Sequence, residues 1–292
     1  MHKLPTLNLI GAGQLGRSVA KLFIGQKLVF LQSVATRSLE TAQAACDWLE
    51  AGRACTLPEL PAADFTLLAV SDDQLASVCI QIAPQLRAGS VVFHCSGSQS
   101  SEVLLPAQQR GAVVASVHPL RSFADPAAAV AGFAGTFCAC EGDAKAMALL
   151  GPMFDRIGAR RFAIDPSAKV LYHAGAVFAC NYLVALMDAG LACFEAAGVE
   201  RSTAFQALKP LIDGTLANVG RVGTVAALSG PIARGDVATV DRQQAALAAK
   251  LPTLVMPYQV LGQIAVRLAE QRPGQDRQAM CTLASLLQQG DV

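Results

Sequence analysis

Leu7-Asn8-Leu9-Ile10 runs directly into Gly11-Ala12-Gly13-Gln14-Leu15-Gly16, and the residues that follow, to Gln26, place Leu15, Val19, Leu22 and Phe23 at helical spacing. A GxGxxG spacing alone is a weak signal. Between an apolar strand and an amphipathic helix, however, its glycines have separate duties. Gly11 permits a tight turn, Gly13 lets a pyrophosphate approach the backbone, and Gly16 lets the helix pack closely on the strand. The unpaired N–H groups that open the helix then face the anion. The loop Gly11, Ala12, Gly13, Gln14, Leu15 and Gly16 is therefore expected to bind a dinucleotide.

The end of the second strand, Leu28 to Ala35, bears on which dinucleotide. An acid at that point would accept from a ribose 2′-hydroxyl. This chain has Thr36-Arg37-Ser38 instead, with no acid until Glu40. A guanidinium flanked by two hydroxyls suits a 2′-phosphate, because Arg pairs with it bidentately. NADP(H) is the expected cofactor.

Apolar runs alternate with helical stretches as far as residue 165. Phe65–Val70, Ser90–Cys95, Val113–Val117, Thr136–Cys140 and Arg161–Ile164 read as strands. Strands that are apolar on both faces and separated by helices indicate a parallel sheet covered on both sides. After Asp165-Pro166 every segment reads as helix. The expected fold is a doubly wound α/β domain over residues 1–165, followed by an all-α domain over 166–292 for substrate binding and dimerisation.

Composition narrows the function. Hydrophobic residues make up 53% and charged residues 15%, which excludes a disordered chain. Lys+Arg number 23 against 22 Asp+Glu, so there is no basic face for nucleic acid. The nine Cys lack metal-ligand or CxxC spacing. We read them as reduced thiols of a cytoplasmic protein, with no metal centre. Val170 to Phe194 is long enough to span a bilayer, but His173, Asn181 and Asp188 interrupt it. A buried core helix is expected there, and no membrane association.

On that helix Lys169, His173, Asn181, Asp188 and Glu195 share about 120° of an ideal helix. Lys169 and His173 are i,i+4 neighbours, and either is a candidate proton donor beside a hydride acceptor. Ligands of open α/β sheets bind at the carboxyl ends of strands. That position makes Ser96 and His118 candidates for substrate contacts, and Ser71 with Asp72 a candidate cofactor loop. Asn181 is a further candidate on the helix stripe. Arg234, in Gly230-Pro231-Ile232-Ala233-Arg234-Gly235-Asp236, is a candidate clamp for a substrate carboxylate.

The strand–GAGQLG–helix start, the TRS segment and the Lys169 helix together resemble the β-hydroxyacid and 6-phosphogluconate dehydrogenase superfamily. VFHCSGS at 92–98, SVHPLRSFADP at 116–126, KVLYHAGAVFACNYLVAL at 169–186 and LSGPIARGD at 228–236 more closely resemble a family of proposed NADP oxidoreductases. Members join a Rossmann-like domain to a helical C-terminal domain of unknown function, similar to that of 6-phosphogluconate dehydrogenase. The resemblance implies that Lys169 is catalytic, since hydroxyacid dehydrogenases carry a Lys here with an Asn four residues on. In this chain that fourth residue is His173.

These features together predict an NADP(H)-dependent oxidoreductase acting on a small polar carbonyl, imine or hydroxyacid in a cleft between its domains. The alternative is a dinucleotide-binding sensor or scaffold without turnover. The apolar helical half further leads us to expect a homodimer formed through residues 166–292.

Overall fold

The computed structural model describes residues 3–288. Eight strands form one sheet: β1 (Thr6–Ile10), β2 (Phe30–Ala35), β3 (Arg53–Cys55), β4 (Phe65–Leu68), β5 (Val91–His94), β6 (Val113–Pro119), β7 (Phe137–Gly142) and β8 (Arg160–Ala163). Their order is β3-β2-β1-β4-β5-β6-β7-β8, so the sheet reverses direction between β1 and β4. The first six strands are parallel, as the doubly wound reading requires. β7 runs antiparallel to β6, contrary to the all-parallel expectation, and β8 returns parallel to β7. The link from β6 to β7 contains only the short helix α5 (Pro126–Ala131) and makes no crossover over the sheet. β3, with three residues at the sheet edge, carries too short an apolar pattern to be seen in the sequence.

The remaining helices of this half are α1 (Gln14–Gly25), α2 (Leu39–Leu49), α3 (Leu75–Ile82), α4 (Leu105–Gln108) and α6 (Ala144–Arg156). They cover both faces, because successive residues of each central strand point to opposite sides. Phe65, Leu67, Val91 and Phe93 pack with α1, α2 and α6, whereas Leu68 and Val92 pack with α3 and α4. At the centre of the first face Phe154 meets Phe23 and Phe93 edge-on, with centroids 5.2 and 6.4 Å away.

The helical half contains α7 (Lys169–Ala176), a π-helical turn at Val177–Asn181, then α8 (Tyr182–Ala196), α9 (Arg201–Ala227), α10 (Val237–Lys250), α11 (Val255–Glu270) and α12 (Arg277–Leu286). By contacts, two compact units divide between Ala179 and Cys180, within the π turn. α7 thus belongs to the sheet-bearing unit. The second unit has a small core of Val240, Val266, Ala269, Met280, Leu283 and Leu287.

The expectation of a buried core helix over Val170–Phe194 is not met. Pro166–Ala196 is long and apolar enough to cross a membrane by length and composition, yet little of it is buried. Val170, Leu171, Phe178 and Val184 are all exposed, and Leu191 is the one buried residue of α8.

Phe154 is fully enclosed and joins α6 to two other elements. Phe154→Ala should destabilise the sheet-bearing unit by about 3–5 kcal/mol, the usual cost of such a cavity. Urea denaturation followed by circular dichroism measures this, and a loss under about 1 kcal/mol would show that the layer repacks.

Candidate active site

Two groups of side chains meet the carboxyl ends of the parallel strands. The first surrounds the β1–α1 loop. Gly11 has φ +82°, and a Cβ there would lie 2.5 Å from the Ala69 carbonyl oxygen, so only glycine fits. Gly16 is similarly pressed against Ala69, whereas a Cβ on Gly13 would meet nothing within 4 Å. No side chain caps α1 at Gly13, which leaves its first N–H groups available. A cavity of about 610 Å³ opens here, lined among others by Gly11, Gly13, Thr36, Arg37, Ser71 and Asp73. An open glycine face, an uncapped helix start and an adjacent guanidinium fit a dinucleotide phosphate.

Several residues expected at this site have other duties. Ser38 caps α2, its hydroxyl accepting from Thr41 N at 3.2 Å, and Thr41 lines the cavity instead. Asp72 accepts from the Ser98 hydroxyl at 2.5 Å, so Asp73 is the acid beside the cavity. Gln14 is exposed and accepts from Arg17, while Leu15 packs against the core.

The second group lies where β5, β6, β7 and α7 converge. Lys169 is 1% exposed. Its ammonium donates to the Ser96 carbonyl at 2.9 Å and to the Ser116 hydroxyl, and sits 3.5 Å from Glu141. Burial lowers its pKa, and the Glu141 charge opposes that shift. Glu141 also accepts from Ser101 N at 2.8 Å and from the Ser101 hydroxyl at 2.6 Å. The Ser96 hydroxyl, a candidate substrate contact, is held within its own turn by Ser98 N and Gln99 N.

His118 and His173 stand beside this centre. Their rings meet edge-on, with centroids 5.8 Å apart. His118 Nδ1 shares a hydrogen bond of 2.9 Å with the Tyr172 hydroxyl, and Tyr172 stacks edge-on with Phe162. Burial, with Lys169 and His173 adding to it, pushes His118 down to about 4. Burial pushes Tyr172 up to about 12, so its hydroxyl keeps its proton. His173 Nδ1 is enclosed without a partner, and Nε2 makes no hydrogen bond among the described residues.

The expected stripe along Lys169, His173, Asn181, Asp188 and Glu195 is not one face. The π turn breaks the 100° repeat, and Arg201 pairs with both Asp188 and Glu195. Asn181 and Arg234 lie in the second unit and are exposed. Arg234 sits on a one-turn 3-10 helix before Asp236, which caps α10. Sequence reasoning missed Tyr172, Ser116 and Glu141. Tyr172 could have been found three residues after Lys169, and Glu141 as an acid ending an apolar strand.

Family comparison finds a Rossmann-like domain over residues 3–119 and a domain of unknown function, DUF2520, over residues 136–265. Among curated proteins, none matches the chain. Among solved structures, a Bacteroides fragilis protein proposed to be an NADP oxidoreductase is 22% identical, with a TM-score of 0.74, over 92% of this chain and 99% of that one. An imine reductase from Myxococcus stipitatus in complex with NADP+ is 16% identical, with a TM-score of 0.69, over 97% and 100%. A reductive aminase from Aspergillus terreus in complex with NADPH and ethyl-5-oxohexanoate is 16% identical, with a TM-score of 0.68, over 95% and 98%. At these identities the likeness establishes a shared fold.

His94, buried beneath this cluster, is also pushed down to about 4, first by burial and then by Lys169. Its Nδ1 accepts from Ser96 N and its Nε2 faces the Ser100 carbonyl, which suits the neutral ring. Both His94 and His118 therefore bind protons more readily in the unfolded chain. Their stabilising effect is complete above about pH 6.5 and is lost as pH falls toward 4. The thermal midpoint should drop across that window, and a midpoint unchanged between pH 7 and 4 would contradict neutral burial of these rings.

Proposed function

We propose that this chain, a Rossmann-like domain joined to a DUF2520 domain, is an NADP(H)-dependent oxidoreductase acting on a small polar carbonyl, imine or hydroxyacid. The observation that carries this is the open Gly13 face at the uncapped start of α1, in one cavity with Thr36 and Arg37. The NADP oxidoreductase name and the NADP+ and NADPH complexes among structures of this fold support it. Gly13 and the α1 N–H groups would hold the pyrophosphate, and Arg37 with Thr36 the 2′-phosphate.

The nicotinamide, when bound, supplies hydride to a substrate carbon or takes it away. As that carbon gains the electron pair, the carbonyl oxygen or imine nitrogen takes up the displaced π electrons and needs a proton. His173 is our choice of donor, through Nε2, because its ring makes no hydrogen bond among the described residues, whereas the Lys169 ammonium is enclosed and spends its N–H groups on protein acceptors. His118, kept neutral and tied to Tyr172, offers a hydrogen bond rather than a charge.

We also propose that the second unit pairs with a second copy. Val184, Leu211 and Met256 are 71%, 66% and 60% exposed, and helices with such faces are normally covered. A cytoplasmic location accords with nine unpaired thiols.

Calorimetric titration should give NADPH an affinity at least about 10-fold above that of NADH, the worth of one charge-assisted contact. Arg37→Ala should erase most of that difference and leave NADH binding nearly unchanged. Equal affinities in the unmodified chain would remove the case for NADP(H).

Light scattering should give twice the 30.3 kDa chain mass at micromolar concentration. A monomer, or a chain that partitions into lipid vesicles, would contradict self-association.

A further inference from the structure

Among the described residues, Lys169 and Glu141 are the two buried members of the Lys, Arg, Asp and Glu set, and they face each other at 3.5 Å. A buried ion pair is a poor device for stability, because taking both charges out of water costs about as much as their attraction returns. Its presence at the junction of several elements calls for another explanation. Glu141 closes β7 and is held by Ser101 from the turn after β5. Lys169 opens α7 and grips Ser116 on β6 and the carbonyl of Ser96 just after β5. Of these partners, the Ser96 carbonyl belongs to a turn with a second contact of consequence.

That contact is made by Gly97. It is buried, and a Cβ built on it would overlap His173 Nδ1 and lie 2.9 Å from both Cε1 and Nε2 of His118. The backbone of the turn is therefore the surface against which both imidazoles rest. A shift of a few tenths of an ångström in this turn must be followed by the rings or open a gap beneath them. An apolar residue at position 169 would fill the volume but leave the Ser96 carbonyl without a donor and the turn without a fixed height.

The geometry points to Lys169 and Glu141 as positioning residues, a buried ion pair that fixes the Ser96–Gly97 turn and through it the rings of His118 and His173. This inference rests on the proposed role of His173 in proton transfer. It gives Glu141, absent from any reading of the sequence, a part in the site without contact with substrate.

The test uses the full chain labelled with ¹⁵N. Lys169→Met alone strands a buried carboxylate, so the informative protein is the double variant Lys169→Met with Glu141→Gln, which neutralises both partners. It should stay folded and bind NADPH within about 2-fold of the unmodified chain. The ¹⁵N shifts of the His173 ring should nevertheless move, and the Gly97 amide should exchange at least about 10-fold faster. His118 lies in the field of Lys169 and would respond to charge alone, so His173 and Gly97 decide the matter.

A folded double variant with unchanged His173 signals and unchanged Gly97 exchange would overturn the inference. If the double variant does not fold, Ser116→Ala loosens Lys169 without stranding a charge, and must shift the same signals or the inference fails. Neither readout requires turnover. A chain with no oxidoreductase activity would refute the proposed function while leaving the positioning result separately legible.

Discussion

The carbonyl of Ala69, at the end of β4, presses on Gly11 so closely that no side chain could stand between them. The contact joins the two strands at which the sheet reverses its order, the place where an open α/β sheet leaves a crevice at its carboxyl edge. Gly11 adopts the left-handed conformation that this close approach requires, with φ +82°. The first N–H groups of α1 are then presented to the cavity that Thr36 and Arg37 share. Local backbone geometry thus places an uncapped helix start at the end of β1, and the order of the strands brings the end of β2 beside it.

The same sheet edge carries a second, very different environment. Away from its ends the sheet is mostly apolar on both faces, with Asn8, Ser33 and Thr66 the buried polar side chains of β1, β2 and β4. Where β5, β6 and β7 meet the turn after β5 and the start of α7, it collects His94, Ser116, His118, Glu141, Ser96 and Lys169, most of them buried and all hydrogen-bonded. Such a network costs stability unless each member is satisfied. It leaves one conspicuous exception in His173 Nδ1, enclosed without a partner. That nitrogen faces the Gly97 turn, and the proton transfer proposed above is given to the opposite nitrogen of the same ring.

What the sequence made legible was local. The β1–α1 loop, the acid-free end of β2 and the apolar strands could be read because turn chemistry and period-2 burial are written in neighbouring residues. β3 escaped notice because three edge residues set up no period, and the reversed β7 because strand direction depends on a connection rather than a pattern. The helix stripe failed for a physical reason. It assumed an unbroken 3.6-residue repeat, and the π turn at Val177–Asn181 resets the phase. Lys169 was found as a residue but not as a buried one, since its partners Glu141 and Ser116 are distant in sequence and only the sheet register brings them together. Tyr172 and Glu141 were missed because a role that consists of holding another side chain leaves no spacing signature.

The proposed function is hydride transfer to or from a substrate carbon while this chain manages the proton. Its most direct test is to incubate the protein with NADPH deuterated at the transferable position and a panel of small ketones, aldehydes and imines, and to weigh the products. A reduced product carrying one deuterium, formed only when protein is present, is the expected result. Tight NADPH binding with no deuterium in any product across carbonyls, imines and, in the reverse direction, hydroxyacids would contradict it and leave a dinucleotide-binding protein without turnover.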